Sequence, residues 1–305
     1  MKKIDYPARG SNGFNKLISD YKTIFSADLP WMENAWANWK QNKGYTALFP
    51  ETVNDLISAD VQLIADVYAR FESLRIPLRV YRHRNPELEY LDDIFDYKNK
   101  YSNVIADFFI DRAKQLHIST CYYCETAYIN VYTARKRQFD VDHYIPKEKC
   151  PILGLSLFNF VPSCQVCNSR IKLANVIGDN PVDFEEFNPA GVNYAFDKKV
   201  SIRLRMKPGC KHNLNNPRNY YIHFRCKNQF RKYVDFFHLE ERYEFHKLEA
   251  LRIKKLKENY PPSAIRKIAN MLGFSVAKVT EDLFHEQFLK DNDRCFTKLT
   301  SDMLK

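Results

Sequence analysis

Apolar residues recur every three to four positions through much of the first third of the chain. "GFNKLISDYKTIF" and "VNDLISADVQLIADVYARFESLR" show this spacing, and "NVIADFFIDRAKQLHI" repeats it just before residue 120. The spacing predicts amphipathic helices, each burying one stripe. Further on, Phe236, Leu239, Tyr243, His246, Ala250 and Ile253 step by threes and fours. That predicts one face of a long helix, with His246 packed and hydrogen-bonded in the stripe. "YPPSA" ends this helix and starts another. The period shortens to two elsewhere. "RQFDVDHYI" sets Phe139, Val141 and His143 on one parity, a short strand ending near His143. "LSLFNFVP" reads as a second strand, stopped by Pro162. Ser163 then caps a helix over "CQVCNSRIKLAN". In "VSIRLRMK", Ile202, Leu204 and Met206 alternate with Arg203, Arg205 and Lys207, and "YIHFRCK" alternates likewise. These predict a strand pair linked across the turn-rich "PGCKHNLNNPRN". Trp31, Trp36 and Trp39 cluster and are read as core. The expected class is α+β, a mainly helical scaffold around a central strand–loop–strand–helix module. Its regions are 1–115, 116–180 and 181–305.

Charge changes the picture of the last region. The chain carries a formal net charge of +10, yet residues 1–120 hold 16 basic and 16 acidic side chains. The surplus therefore lies after residue 120. Its densest part is 198–234, with eleven Lys and Arg and no acid. A strand pair with one apolar and one arginine-bearing face can neutralise phosphates, so Arg203, Arg205 and Arg225 are read as nucleic-acid contacts. The balanced helical region reads as scaffold, or as the surface that meets a regulatory partner protein. No internal repeat, low-complexity tract or membrane-length apolar run is present. The polar start "MKKIDYPARG" has no apolar leader, which reads as a cytoplasmic chain with reduced thiols.

Four of the eight cysteines form two Cys-x-x-Cys pairs, Cys121 with Cys124 and Cys164 with Cys167, separated by 39 residues. Four thiolates at paired spacing close a tetrahedral zinc site with no open position, which is a structural role. Cys150, Cys210, Cys226 and Cys295 show no pairing pattern and are read as small buried hydrophobes. Chemistry must then come from polar residues that the zinc holds in place. Asp142 ends one strand and Asn168 opens the helix, so their oxygens can converge on one hard cation, Mg²⁺ or Mn²⁺.

These residues resemble the HNH endonucleases, the ββα-metal or His-Me finger family. The motif reads "DH" at 142–143, "N" at 159 and "CxxCN" at 164–168. The resemblance implies Asp142 as a metal ligand, His143 as general base, Asn159 as the residue that orients it, and Asn168 as second ligand. Many members carry His at the position of Asn168, which leaves the metal's identity open. The stretch "DHYIPKEKCPILGLSLFNFVPSCQVCNS" is similar to a bacterial subgroup, and the likeness runs over roughly residues 101–305. Relatives of that kind look like effectors of anti-phage systems. The resemblance also implies phosphate contacts from Lys147, Arg170 and Lys172.

The chemistry is consistent with that family. A neutral imidazole at His143 can take a proton from water at pH 7, and a cation on Asp142 and Asn168 stabilises charge on the phosphate and the 3′ oxygen. The expected function is a metal-dependent endonuclease acting on DNA, with RNA left open. One centre per chain implies a homodimer or two sequential nicks for double-strand cutting. The competing reading is a zinc-stabilised nucleic-acid-binding or adaptor protein without hydrolysis.

Overall fold

The computed structural model describes residues 1–133, 136–285 and 294–305. The chain divides into two compact units that interleave in sequence. One comprises Lys3–Ile118 and Ile129–Ala195; the other comprises Met1–Lys2, Ser119–Tyr128 and Phe196–Lys305. These boundaries cut across the regions expected at 115 and 180.

The first of these units opens with helices α1 (Asn12–Lys22), α2 (Leu29–Lys43), α3 (Val53–Ile57) and α4 (Val61–Ser73). The single long helix expected over Val53–Arg75 is two. Asp60 adopts an extended conformation and its carboxylate accepts the Leu63 N–H, capping α4 and ending the run. Trp36 stacks on Trp39 at 5.2 Å between ring centroids and meets Phe95 edge-on. Both tryptophans are buried, whereas Trp31 is 51% exposed and outside the core. Strands β1 (Arg79–Val80) and β2 (His83–Arg84) form a small hairpin, followed by α5 (Pro86–Ile94), a wide turn over Tyr97–Tyr101 and α6 (Ser102–Asp111). Strands β3 (Val131–Thr133) and β4 (Lys136–Arg137) also pair.

The central pair is β5 (Asp140–His143) with β6 (Phe160–Ser163), antiparallel, with Asp142 opposite Val161 and His143 opposite Phe160. The first strand ends at His143 as expected. The second begins later than "LSLFNFVP" suggests, because Leu157–Asn159 forms a tight 3₁₀ turn. Pro162 lies inside the strand, opposite Val141. A two-stranded sheet has only edges, so the missing N–H is tolerated there. Ser163 accordingly belongs to the strand and is not a helix cap. The helical segment that follows runs over Val166–Lys172 and is wide, with the Leu173 N–H reaching the Asn168 carbonyl five residues back. Helix α7 (Pro181–Phe187) completes this unit.

The other unit holds α8 (Phe196–Lys199) and the antiparallel pair β7 (Ser201–Met206) and β8 (Tyr220–Arg225). Its register places Arg203 opposite His223 and Arg205 opposite Tyr221 on one face, with Ile202 opposite Phe224 on the other. Ile202, Ile222 and Phe224 are buried, so the alternation seen in the sequence is that of the sheet. The long helix expected over Phe236–Ile253 is instead α9 (Asn228–Phe236), α10 (Leu239–Glu244) and α11 (Lys247–Asn259). His238 takes a left-handed conformation, φ +50°, between the first two. His246 precedes α11 and packs its ring on Phe296 at 4.0 Å. Helices α12 (Pro262–Leu272), α13 (Val276–Phe284) and a helix over Thr297–Leu304 follow, α12 starting at the prolines as expected. Among the described residues no helix is long and apolar enough to cross a membrane.

Candidate metal cluster and Asp-His centre

Cys121, Cys124, Cys164 and Cys167 form a buried cluster whose four sulfurs lie within 4.8 Å of one another. A tetrahedral zinc with bonds near 2.3 Å needs sulfurs roughly 3.8 Å apart, so the group could hold a metal ion such as zinc. Local structure presents each thiol. The Glu125 N–H bonds the Cys121 carbonyl at 2.8 Å, and the Cys121 N–H bonds the Ala127 carbonyl, closing a tight turn around the first pair. Glu125 itself is left-handed, φ +57°. Cys164 follows β6 directly, and its carbonyl accepts the Asn168 N–H at 3.0 Å. Arg242 donates to the Cys124 sulfur at 3.1 Å, and the Thr126 N–H does so at 3.5 Å. Four thiolates around one Zn²⁺ leave two negative charges, which such donors offset. Cys150 is buried as read; Cys210, Cys226 and Cys295 are only half-buried.

Strand β5 sets out the second centre. Asp140 and Asp142 share one parity, Val141 and His143 the other. His143 is 8% exposed and its Nε2 lies 2.9 Å from the Gly154 carbonyl oxygen. A carbonyl can only accept, so Nε2 carries the proton and Nδ1 keeps the lone pair. The imidazole stands edge-on to Tyr97, 4.4 Å between centroids, and against Phe160 at 4.7 Å. Burial drives its pKa down to about 3, against the opposing pull of the Gly154 carbonyl. It is a neutral base at pH 7.

Asn159 is fully buried and works one step away from the imidazole. Its Oδ1 accepts the Ile145 N–H at 2.8 Å, and its Nδ2 donates to the carbonyls of Ile145 and Leu153, each at 3.0 Å. It thereby ties the strand just beyond His143 to the residue before Gly154, whose carbonyl orients the imidazole.

The remaining polar residues are paired differently from the sequence reading. Asn168 donates to Asp140 Oδ2 at 3.1 Å, and Ser169 approaches the same oxygen at 3.4 Å. Asp142 is bonded by Lys172, whose Nζ lies 3.1 Å from Oδ2 and also donates to the His143 carbonyl at 2.6 Å. Lys172 is completely buried, which corrects its expected place on a phosphate-contacting surface. The apolar surroundings push its pKa down, and Asp142 holds it up. Its long apolar stem allows this burial because the ammonium has two acceptors at its end. Asp140 is the residue missed from sequence; its parity with Asp142 was the available signal. Tyr97 was missed too, and no local pattern marks it, since its contact with His143 joins distant segments.

Arg170 is exposed and Lys147 half-buried, with Lys147 paired to Glu148. Arg203, Arg205 and Arg225 share one face of the β7–β8 pair and make no ion pair among the described residues. Comparison of the chain with family models, with curated proteins and with solved structures finds no match.

Proposed function

We propose that this chain is a metal-dependent endonuclease of the HNH type, hydrolysing phosphodiester bonds of DNA. The observation that supports this reading most is the state of His143. It is a neutral imidazole, fixed through Nε2, with Nδ1 left as the base. Asp140, Asp142 and Asn168 lie on the same strand pair and the segment that follows it.

On this reading Nδ1 of His143 takes a proton from the attacking water as its oxygen bonds to phosphorus. The bond from phosphorus to the 3′ oxygen breaks, and the imidazolium formed keeps its Nε2 proton on the Gly154 carbonyl. That carbonyl stabilises the new positive charge. The contact between Asp140 and Asn168 fits a hard cation once the Asn168 amide turns Oδ1 toward it. Mg²⁺ or Mn²⁺ bound there would supply charge compensation to the phosphate and leaving oxygen. Asp142 contributes to such a site only if Lys172 releases it. The four-cysteine group serves as the structural zinc site. An always-active nuclease would damage the cell's own genome, so the resemblance to anti-phage effectors fits a gated enzyme with a regulatory partner.

The Lys172–Asp142 pair favours a second reading, a nucleic-acid-binding module without hydrolysis, because it neutralises an expected cation ligand. Incubation with supercoiled plasmid, with and without Mg²⁺ or Mn²⁺, separates the two. Metal-dependent conversion to nicked circles is expected. Tight binding with no nicking under either metal would establish the second reading.

A further inference from the structure

The β1–β2 hairpin presents an exposed aromatic ring between exposed arginines, and the charge balance of residues 1–120 gives no hint of it. Val80 pairs with His83, leaving Tyr81 and Arg82 as a two-residue turn. Tyr81 sits at φ +56°, a conformation for which glycine is the natural choice in such turns. Its side chain is nevertheless 97% exposed and packs on nothing. A strained aromatic held out into solvent marks a contact to be made with something else. Arg79 and Arg82 flank it, both exposed and with no ion pair among the described residues.

The base of the hairpin is fixed. Arg84 forks onto Asp92 at 2.8 and 3.3 Å, and its third contact is the Glu148 carbonyl at 2.9 Å, in the loop just after His143. Beside it lies a cleft of about 550 Å³ lined by Arg79, Arg82, Lys98, Tyr97 and Lys147. Tyr97 is also the ring that meets His143. The carboxylates along the cleft are mostly engaged: Asp92 by Arg84, Glu148 by Lys147, and Asp96 by the Asn99 N–H groups. Asp93 alone is left without a bonded partner among them. The cleft therefore offers the guanidinium groups of Arg79 and Arg82 and the ammonium of Lys98 to an anion, and the exposed ring of Tyr81 adjoins Arg82 in the turn.

We infer that the hairpin is a nucleic-acid arm: Arg79, Arg82 and Lys98 contact consecutive phosphates, and Tyr81 stacks on an unpaired base. A polyanion with planar apolar faces is the one class of ligand that uses both features, whereas an acidic peptide would leave Tyr81 idle. The inference rests on the nuclease reading and adds the route by which a strand approaches His143.

The test uses the full chain carrying His143→Ala, so that the probe survives. Affinity for a short labelled single strand, and for its duplex, is measured by fluorescence anisotropy at several salt concentrations. Arg79→Glu with Arg82→Glu should weaken binding at least tenfold and flatten the salt slope by roughly 1.4 on the single strand. Tyr81→Gly relaxes the turn, so its melting temperature should match or exceed the parent's. It should nonetheless bind the single strand roughly tenfold more weakly, with less effect on the duplex. If both variants bind as the parent does, the hairpin is not the contact and the nuclease reading stands. A parent that binds neither strand nor duplex removes both.

Discussion

His143 has one nitrogen committed to a carbonyl and the other left as a base, and its environment keeps it uncharged. His143→Ala should therefore take plasmid nicking down by about 10²–10⁴ while metal content and DNA affinity hold. Loss of folding in that variant would assign His143 a structural role instead. Lys172 poses the opposite case. Its ammonium and the Asp142 carboxylate are both nearly inaccessible, at 0% and 6% side-chain exposure. Lys172→Met should destabilise the protein by about 3–5 kcal/mol, because it strands a buried carboxylate. Adding Asp142→Asn should restore much of that loss, since removing both charges removes the penalty. Denaturant unfolding of the two single variants and the double variant reads this directly. A double variant as unstable as the sum of the singles would show that the pair does not interact.

At the level of elements, legibility followed the reach of the signal. The β5 and β7 strands were readable because alternation is local, and residues 202–206 settle their own faces. The long helices were over-read. Asp60 and His238 interrupt continuous apolar periodicity through a side-chain cap and a left-handed turn, which the spacing of hydrophobes does not encode. The dipeptide at 142–143 and Asn159 were recognisable from sequence, yet the partners of Asp142 and Asn168 were not. Those depend on how the wide turns of Val166–Lys172 rotate side chains relative to β5, and on an ammonium carried in by a residue that looks like surface. The β7–β8 face makes its own prediction. Reversing Arg203, Arg205 and Arg225 together should lower the salt slope of duplex binding by roughly three units, about 0.9 per lost phosphate contact. Cleavage at saturating DNA should persist. Coinciding slopes for variant and parent would make this face an ordinary solvated one.

At the scale of the whole molecule the buried four-cysteine cluster, which could hold a metal ion, makes a prediction of its own. Cys167→Ser, or prolonged chelation, should release about one zinc per chain and unfold the central strand pair, since structural zinc contributes on the order of 10 kcal/mol in small peptides. Elemental analysis and circular dichroism check both halves. A metal-free preparation with native ellipticity and full activity would remove the zinc reading. The sequence positions of the four thiols carry a further consequence. Cys124 and Cys164 enclose Asp140, Asp142, His143 and Asn159 within one ring of chain. Closing a ring of that length costs an unfolded polymer about 4 kcal/mol by the chain-entropy scale used for covalent cross-links. Metal capture removes that cost in one step, and only after residue 167 has left the ribosome. On the proposed endonuclease reading, a newly made chain would lack this closed ring until a metal ion joins the two cysteine pairs, so metal supply would time the assembly of the Asp-His centre.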